Sequence, residues 1–229
     1  MRYLVLAAVL LTGVGLFSRP KTPTPAQDEA GADETGVSTT QSSARGIAIP
    51  SRPAGGGFES GLFVDVQEQR YAVQGRTANE ILSSMRASGP STGGKSFFGL
   101  TASEFSFQIQ PRMDGASCVV DEVRVELAVT ITLPEWTPPE TAPYELQRDW
   151  SRFSTALKRH EDQHRQLAAD GAAETLAALQ GLRRASCQEI EFEARQRAER
   201  IAEQIEAKHH RYDDETDHGR TEGAVWPLP

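Results

Sequence analysis

Long apolar runs are missing from this 229-residue chain. The stretch from Tyr3 to Phe17 is uncharged, but as a helix it would cover only ~22 Å. A bilayer's hydrocarbon core is ~30 Å thick, so a multi-span helical membrane protein is excluded. Cysteine is scarce as well. Two residues are too few for a disulfide-scaffold miniprotein or a four-cysteine zinc module. Excess positive charge is also lacking: 24 Lys and Arg stand against 32 Asp and Glu, a net charge of −8. That leaves no basic stripe to grip nucleic acid or an anionic membrane, so neither is expected as a partner. There is no internal repeat. What is present, with 38% hydrophobic and 24% charged residues, is a mildly acidic globular domain with appendages.

The chain divides into three parts. Residues 1–18 read as an export signal: Met1-Arg2 gives a positive start, and the apolar run that follows is too short for a permanent anchor. Gly13-Val14-Gly15 is the nearest small-x-small pattern for cleavage, and an uncleaved segment would be the one membrane contact. No cysteine follows to carry a lipid. Residues 19–57 are rich in Pro, Thr, Ser, Gly and Asp and cannot bury enough surface to offset their conformational entropy, so a disordered linker is expected. Residues 58–229 carry the apolar patterning of one folded domain.

Within that domain the pattern period changes once. Tyr71-Ala72-Val73 is a short strand candidate, and Thr77 to Glu80 has the spacing of a capping box ahead of a helix ending near Ala87. Phe105, Phe107 and Ile109 alternate with polar residues up to Pro111. Val123, Val125, Leu127, Val129, Ile131 and Leu133 alternate more cleanly still. Asp114-Gly115 between them predicts an antiparallel hairpin. After Pro138-Pro139, Leu146, Trp150, Phe153, Leu157, His160, His164 and Leu167 form one helical stripe. A second helix is expected over roughly Ser186 to His210, with Ile190, Ala194, Ile201 and Ile205 inward. Strands first and helices second give an α+β domain, with a small antiparallel sheet followed by two long helices.

His160-Glu161-Asp162-Gln163-His164 is an H-E-x-x-H sequence in mid-helix. Residues four apart stand one turn above each other, so both imidazoles can reach one Zn²⁺ while Glu161 addresses its water. Both histidines lie on the core stripe, where two unpartnered imidazoles would be costly and a metal supplies the partner. Catalytic zinc takes three protein ligands. A continuing helix turns Asp170 away from the metal. Glu189, Glu191 or Glu193 from the next helix remain open, as does His218 near the C-terminus. His209 and His210 read as surface groups favoured by a helix C-terminus. In an exported chain, Cys118 and Cys187 invite one disulfide.

These motifs resemble the bacterial family of predicted secreted zinc-dependent proteases. The resemblance rests on Tyr71-Ala72-Val73-Gln74-Gly75, Ser88-Gly89-Pro90, Trp136, Trp150 with the H-E-x-x-H helix, Cys187, and the closing Tyr212-Asp213-x-x-Thr216-x-His218-Gly219 with Gly223-Ala224. It implies a zincin-like fold and favours His218 as third ligand, giving one Zn²⁺ per chain on His160, His164 and His218. Glu161 is then the general base and Tyr212 a donor to the oxyanion, while Asp213 reads as a helix-terminating residue, with a carboxylate that fixes an imidazole as its alternative. The expectation is a zinc metalloendopeptidase acting on peptide or protein substrates in the periplasm or outside the cell. Its rival is a zinc-stabilised envelope module without turnover. The strand from Val123 to Leu133 is a candidate edge for an extended peptide.

Overall fold

The structure, a computed structural model, describes residues 6–15, 58–92 and 94–228, and only the backbone of 6–15. The expected linker over 19–57 lies outside the described residues. Two strands of twenty residues each, β4 (Lys95–Asp114) and β5 (Ser117–Trp136), form the hairpin the alternation predicts. Gly115 turns it at φ 63°, a left-handed conformation that an L side chain resists. Pro111 does not end β4. The register shifts between Gln110 and Pro111 and the ladder continues, because a bulge accommodates the missing N–H.

The sheet is mixed rather than antiparallel throughout. Its order is β1 (Leu6–Gly15), β4, β5, β2 (Gly61–Val73), and β2 pairs with β5 in parallel. Alternation along β5 reports which face is buried but not which way a neighbour runs. The candidate edge strand is thus central, flanked on both sides. The stretch read as an export signal supplies β1, antiparallel to β4 with Leu6 opposite Phe107 and Gly13 opposite Leu100. Two short strands complete the sheet: β3 (Ser91–Thr92) on β4 and β6 (Arg183–Arg184) on β5.

One face of the sheet is buried under helices. Its side chains include Phe107, Ile109, Val125, Leu127, Val129 and Ile131. The small helix α1 (Ala78–Ser88) starts at the Thr77 cap, where Oγ1 accepts from the Glu80 amide, and it buries Ile81 and Met85. The long α2 (Tyr144–Leu179) lays Phe153, Leu157, His160, His164, Ala168 and Ala172 inward, following the predicted stripe. Trp150 and Phe153 on α2 meet Trp226 with centroids 5.4 and 5.6 Å away, and Trp136 closes on Trp150 at 5.7 Å. The second long helix, α3 (Cys187–Thr216), opens with a Ser186–Glu189 capping box. Cys187 is disulfide-bonded to Cys118 at the start of β5 (Cα–Cα 5.2 Å), as expected. Helix α3 runs six residues beyond the predicted end at His210. It lies antiparallel to α2: Arg197 Nη1 donates to the Ala178 carbonyl, and Gly171 faces Ile205. No described helix is long and apolar enough to cross a membrane.

Candidate metal centre

The far end of the α2–α3 pair is polar inside. His160 and His164 stand one turn apart on α2, and His209 and Asp213 stand one turn apart on α3 opposite them. All four are buried. Asp213 Oδ1 lies 3.1 Å from His160 Nε2 and 3.0 Å from His164 Nε2, and the two Nε2 atoms are 3.1 Å apart. Among the described residues, His160, His164 and Asp213 form a group able to hold a metal ion. Zinc–ligand bonds of ~2.0–2.1 Å at tetrahedral angles set neighbouring ligand atoms ~3.3 Å apart, close to this triangle. Two imidazole nitrogens crowded onto one buried carboxylate oxygen fit a divalent cation in charge and donor type.

The electrostatics agree with that fit. Burial opposes ionisation of Asp213, yet hydrogen bonds from His160 and His164 outweigh it and hold the carboxyl well below the usual carboxylate range. Burial also works against charge on His160, but Asp213, Glu161 and Glu222 overcome it and raise its pKa. At His164 burial prevails and the pKa falls. His209 is pushed down to about 4, first by burial and then by His164, so its ring is neutral at neutral pH.

Each imidazole is also held from behind. His160 Nδ1 is 3.1 Å from Glu222 Oε2, which also accepts from the Tyr212 hydroxyl at 2.8 Å. Tyr212 stacks on the His160 ring at 4.8 Å and 18°. His164 Nδ1 is 2.8 Å from His209 Nδ1, with the two rings stacked at 5.1 Å. Carboxylate or imidazole acceptors in this position fix which nitrogen a histidine offers to a metal. When Nε2 of His164 is offered to a metal, its Nδ1–H donates to His209. The remaining proton of His209 then sits on Nε2, which is buried without a hydrogen-bond partner among the described residues.

The closing turn explains the C-terminal signature. Thr216 Oγ1 accepts from the Gly219 amide at 3.1 Å, while Asp217, His218 and Gly219 take φ values of 50°, 51° and 80°. Left-handed backbone at two non-glycine residues is the kind of strain that clusters at functional sites. A Cβ on Gly219 would meet His160 Cγ at 3.0 Å, so only glycine lets the chain pass this ring and deliver Glu222.

Glu161 points to the sheet side of α2 and is fully buried. Thr101 Oγ1 on β4 donates to its Oε2 at 2.7 Å. A Cβ on Gly99 would lie 2.7 Å from its Oε1, so the missing side chain makes room for the carboxylate.

The predicted site residues distribute unevenly. His160, Glu161 and His164 come together on α2. His218 lies beside the cluster, its Nδ1 3.7 Å from Asp213 Oδ1, and stands outside the His160–His164–Asp213 group. Glu189 caps the N-terminus of α3, and Glu193 pairs with Arg184 and Arg197. They lie 24 and 20 residues before Asp213, ~36 and ~30 Å along a helix, so neither reaches the metal group. Glu191 shares that distant end. Asp170 is exposed and accepts from Gln166. His210 is on the surface as expected, but His209 is buried, because the helix continues and turns it inward. Asp213 does not end the helix; it lies inside it. The sequence did not point to Asp213 as a ligand, nor to His209, Glu222 or Thr101 as partners of the motif. A readable signal existed for one pair: His209 and Asp213 continue the inward stripe of Ile201 and Ile205 by steps of four.

No curated protein and no solved structure matches the chain. One family model does, over residues 68–219, about two thirds of the sequence. That span runs from the end of β2 through both long helices to the glycine packed on His160, so it contains every metal-group residue. The chain therefore belongs to the family described as "Bacterial protein of unknown function (DUF922)".

Proposed function

We propose that this protein is an exported bacterial zinc-dependent peptidase in which His160, His164 and Asp213 hold the metal and Glu161 is the general base. The observation that carries this reading is the convergence of two imidazoles and a carboxylate one residue away from a buried glutamate. His₂-carboxylate sets with an open fourth position are typical of zinc hydrolases. In this reading Asp213 takes the ligand role expected of His218, whose Nδ1 lies 3.7 Å from Asp213 Oδ1.

Bound zinc supplies Lewis acidity, polarising a carbonyl and making water acidic enough to ionise near pH ~7. Glu161 takes the proton of the attacking water and hands it to the leaving amine. Thr101 and Gly99 set the position of its carboxylate. Glu222 and His209 keep both imidazoles presenting Nε2. Tyr212 supports His160, since its hydroxyl already donates to Glu222, and it is not assigned to the oxyanion.

A Glu161→Gln chain, loaded with zinc and offered a broad peptide library, is expected to keep one zinc per chain by elemental analysis. Its hydrolysis should fall ~10²–10⁴-fold, the usual contribution of a general base. Undiminished cleavage by that variant refutes the assignment. Burial of all three ligand residues favours a second reading, a zinc-stabilised envelope module without turnover. Zinc-loaded parent protein that cleaves nothing in the library would establish it instead.

A further inference from the structure

β2 closes the sheet on the side away from β1. β5 pairs with it along Gly61–Val73, and among the described residues no strand pairs with its other edge. Such a row of unpaired amides and carbonyls is a place where a further strand can add. β2 is also poorly covered. Leu62, Val64 and Val66 stand opposite Val125, Leu127 and Val129, so they face the helix side of the sheet. Glu68, on the same side, is reached by Lys158 of α2 at 3.4 Å. Yet Val64 and Val66 are 47% and 45% exposed, while Leu127 and Val129 beside them are buried. Helix α2 stops short of the edge and leaves an apolar ledge beside unpaired backbone.

The opposite face of β2 carries charge of both signs. Phe63 lies there beneath Arg124, whose Cζ is 3.8 Å from the ring centroid. Arg124 Nε holds Glu126 at 2.6 Å, and its terminal nitrogens have no partner among the described residues. Asp65, two positions along the same face, is exposed and accepts from the Gln67 side chain at 3.1 Å. A cation over Phe63 and an anion at Asp65 make this face complementary to an inverted copy of itself.

Two copies of one strand related by a two-fold axis pair antiparallel, and residues facing each other share a side of the sheet, so the axis passes through a residue. With the axis at Val64, Val64 faces itself and Leu62 faces the partner's Val66. Phe63, with Arg124 over it, then faces the partner's Asp65, and pairing spans residues 61–67. Other axes fit less well. At Asp65 two carboxylates oppose each other, which is destabilising. At Val66 or Gln67 a valine faces Glu68. At Phe63 the paired window shrinks to residues 61–65, and Val66 faces Ser60, outside the strand.

We propose that β2 joins two copies of this chain edge to edge about a two-fold axis at Val64, giving one continuous sheet. A second copy is the occupant because this edge supplies both members of every pair: the valine ledge meets itself, and the Arg124 cation meets Asp65 twice. The interface uses no residue of the metal group and does not rest on the peptidase reading.

Sedimentation equilibrium of the full-length protein tests this. At ~10 μM, within the affinity range of specific interfaces, the expected mass is twice that of the 25.0 kDa chain. Val64→Asp sets two carboxylates face to face on the axis and should raise the dimer dissociation constant at least ~10-fold. Asp65→Arg, which sets a cation against Arg124, should weaken the dimer in the same direction. Register is read by cysteine substitution. Val64→Cys should crosslink to its own copy on mild oxidation, giving a dimer on a non-reducing gel. Val66→Cys should not, because its copy lies four residues away along the strand. A full-length chain that stays monomeric at ~100 μM overturns the proposal, and residues 19–57 or a different protein then remain as occupants of the edge. A dimer unchanged by Val64→Asp overturns it too, as does crosslinking at Val66→Cys in place of Val64→Cys. If Val64→Asp fails to fold, the two cysteine variants decide.

Discussion

The two halves of the α2–α3 pair are built from the same helices but serve different ends. At the disulfide end, Leu179, Ile190, Ala194 and Ala198 are buried to within 0% exposure and pack as ordinary apolar core. At the other end, His160, His164, His209 and Asp213 occupy equally buried positions with imidazoles and a carboxylate. Burying apolar side chains contributes roughly 1.5–3 kcal/mol each, whereas buried polar groups at best offset their own desolvation. The apolar half thus holds the helices together, and the polar half carries a desolvation cost that a metal ion bound by His160, His164 and Asp213 would offset. Gly171 and Ile205 mark the boundary, where α3 approaches so closely that a Cβ on Gly171 would lie 2.5 Å from Ile205 Cγ1.

That division can be broken from either side. His164→Ala should reduce bound metal from one per chain to nearly none by elemental analysis, while circular dichroism shows the helices retained. Loss of the fold itself would mean that the polar half is structural. Leu179→Ala should do the opposite, costing about 2–5 kcal/mol in denaturant unfolding through its cavity with metal content unchanged under native conditions. At the boundary, Gly171→Ala should destabilise by about 1–3 kcal/mol through overpacking against Ile205. Because it shifts α3, it should also weaken metal binding, and an unaltered affinity would show the two halves to be independent. The smallest effect is expected from His209→Phe, which keeps the stacking on His164 but removes its acceptor. Zinc affinity measured by competition with a chelator should fall ~10–100-fold, the usual loss for an outer partner of a metal-binding histidine.

Much of this architecture is legible in the residue order. The alternation from Val123 to Leu133 fixes a strand and its buried face, and the stripe from Leu146 to Leu167 fixes a helix and the inward direction of His160 and His164. Thr77 and Ser186 mark two helix starts through local caps that need no tertiary partner. The Cys118–Cys187 pairing follows from there being two cysteines in all. The end of α3 was less readable. Tyr212-Asp213-Asp214-Glu215 looks like a polar tail, because an inward carboxylate on a helix is indistinguishable from a solvated one until its neighbour is known. Glu222 reaches His160 only through a turn built on three left-handed residues, which residue spacing does not announce.

Periodicity and capping are properties of neighbouring residues, so the sequence alone settled the β4–β5 hairpin, the starts of α1 and α3, the inward stripe of α2, and that two imidazoles would share it. Partnership across the fold depends on how separate elements meet. Only the packing of α3 on α2 made Asp213, rather than a more distant glutamate, the acidic member of the buried group. Only the pairing of the sheet decided that β5 lies in the centre and that Gly99 and Thr101 of β4 lie against Glu161. The reason is the same in both cases: a side chain's direction is set locally, but what it meets is set by elements tens of residues away.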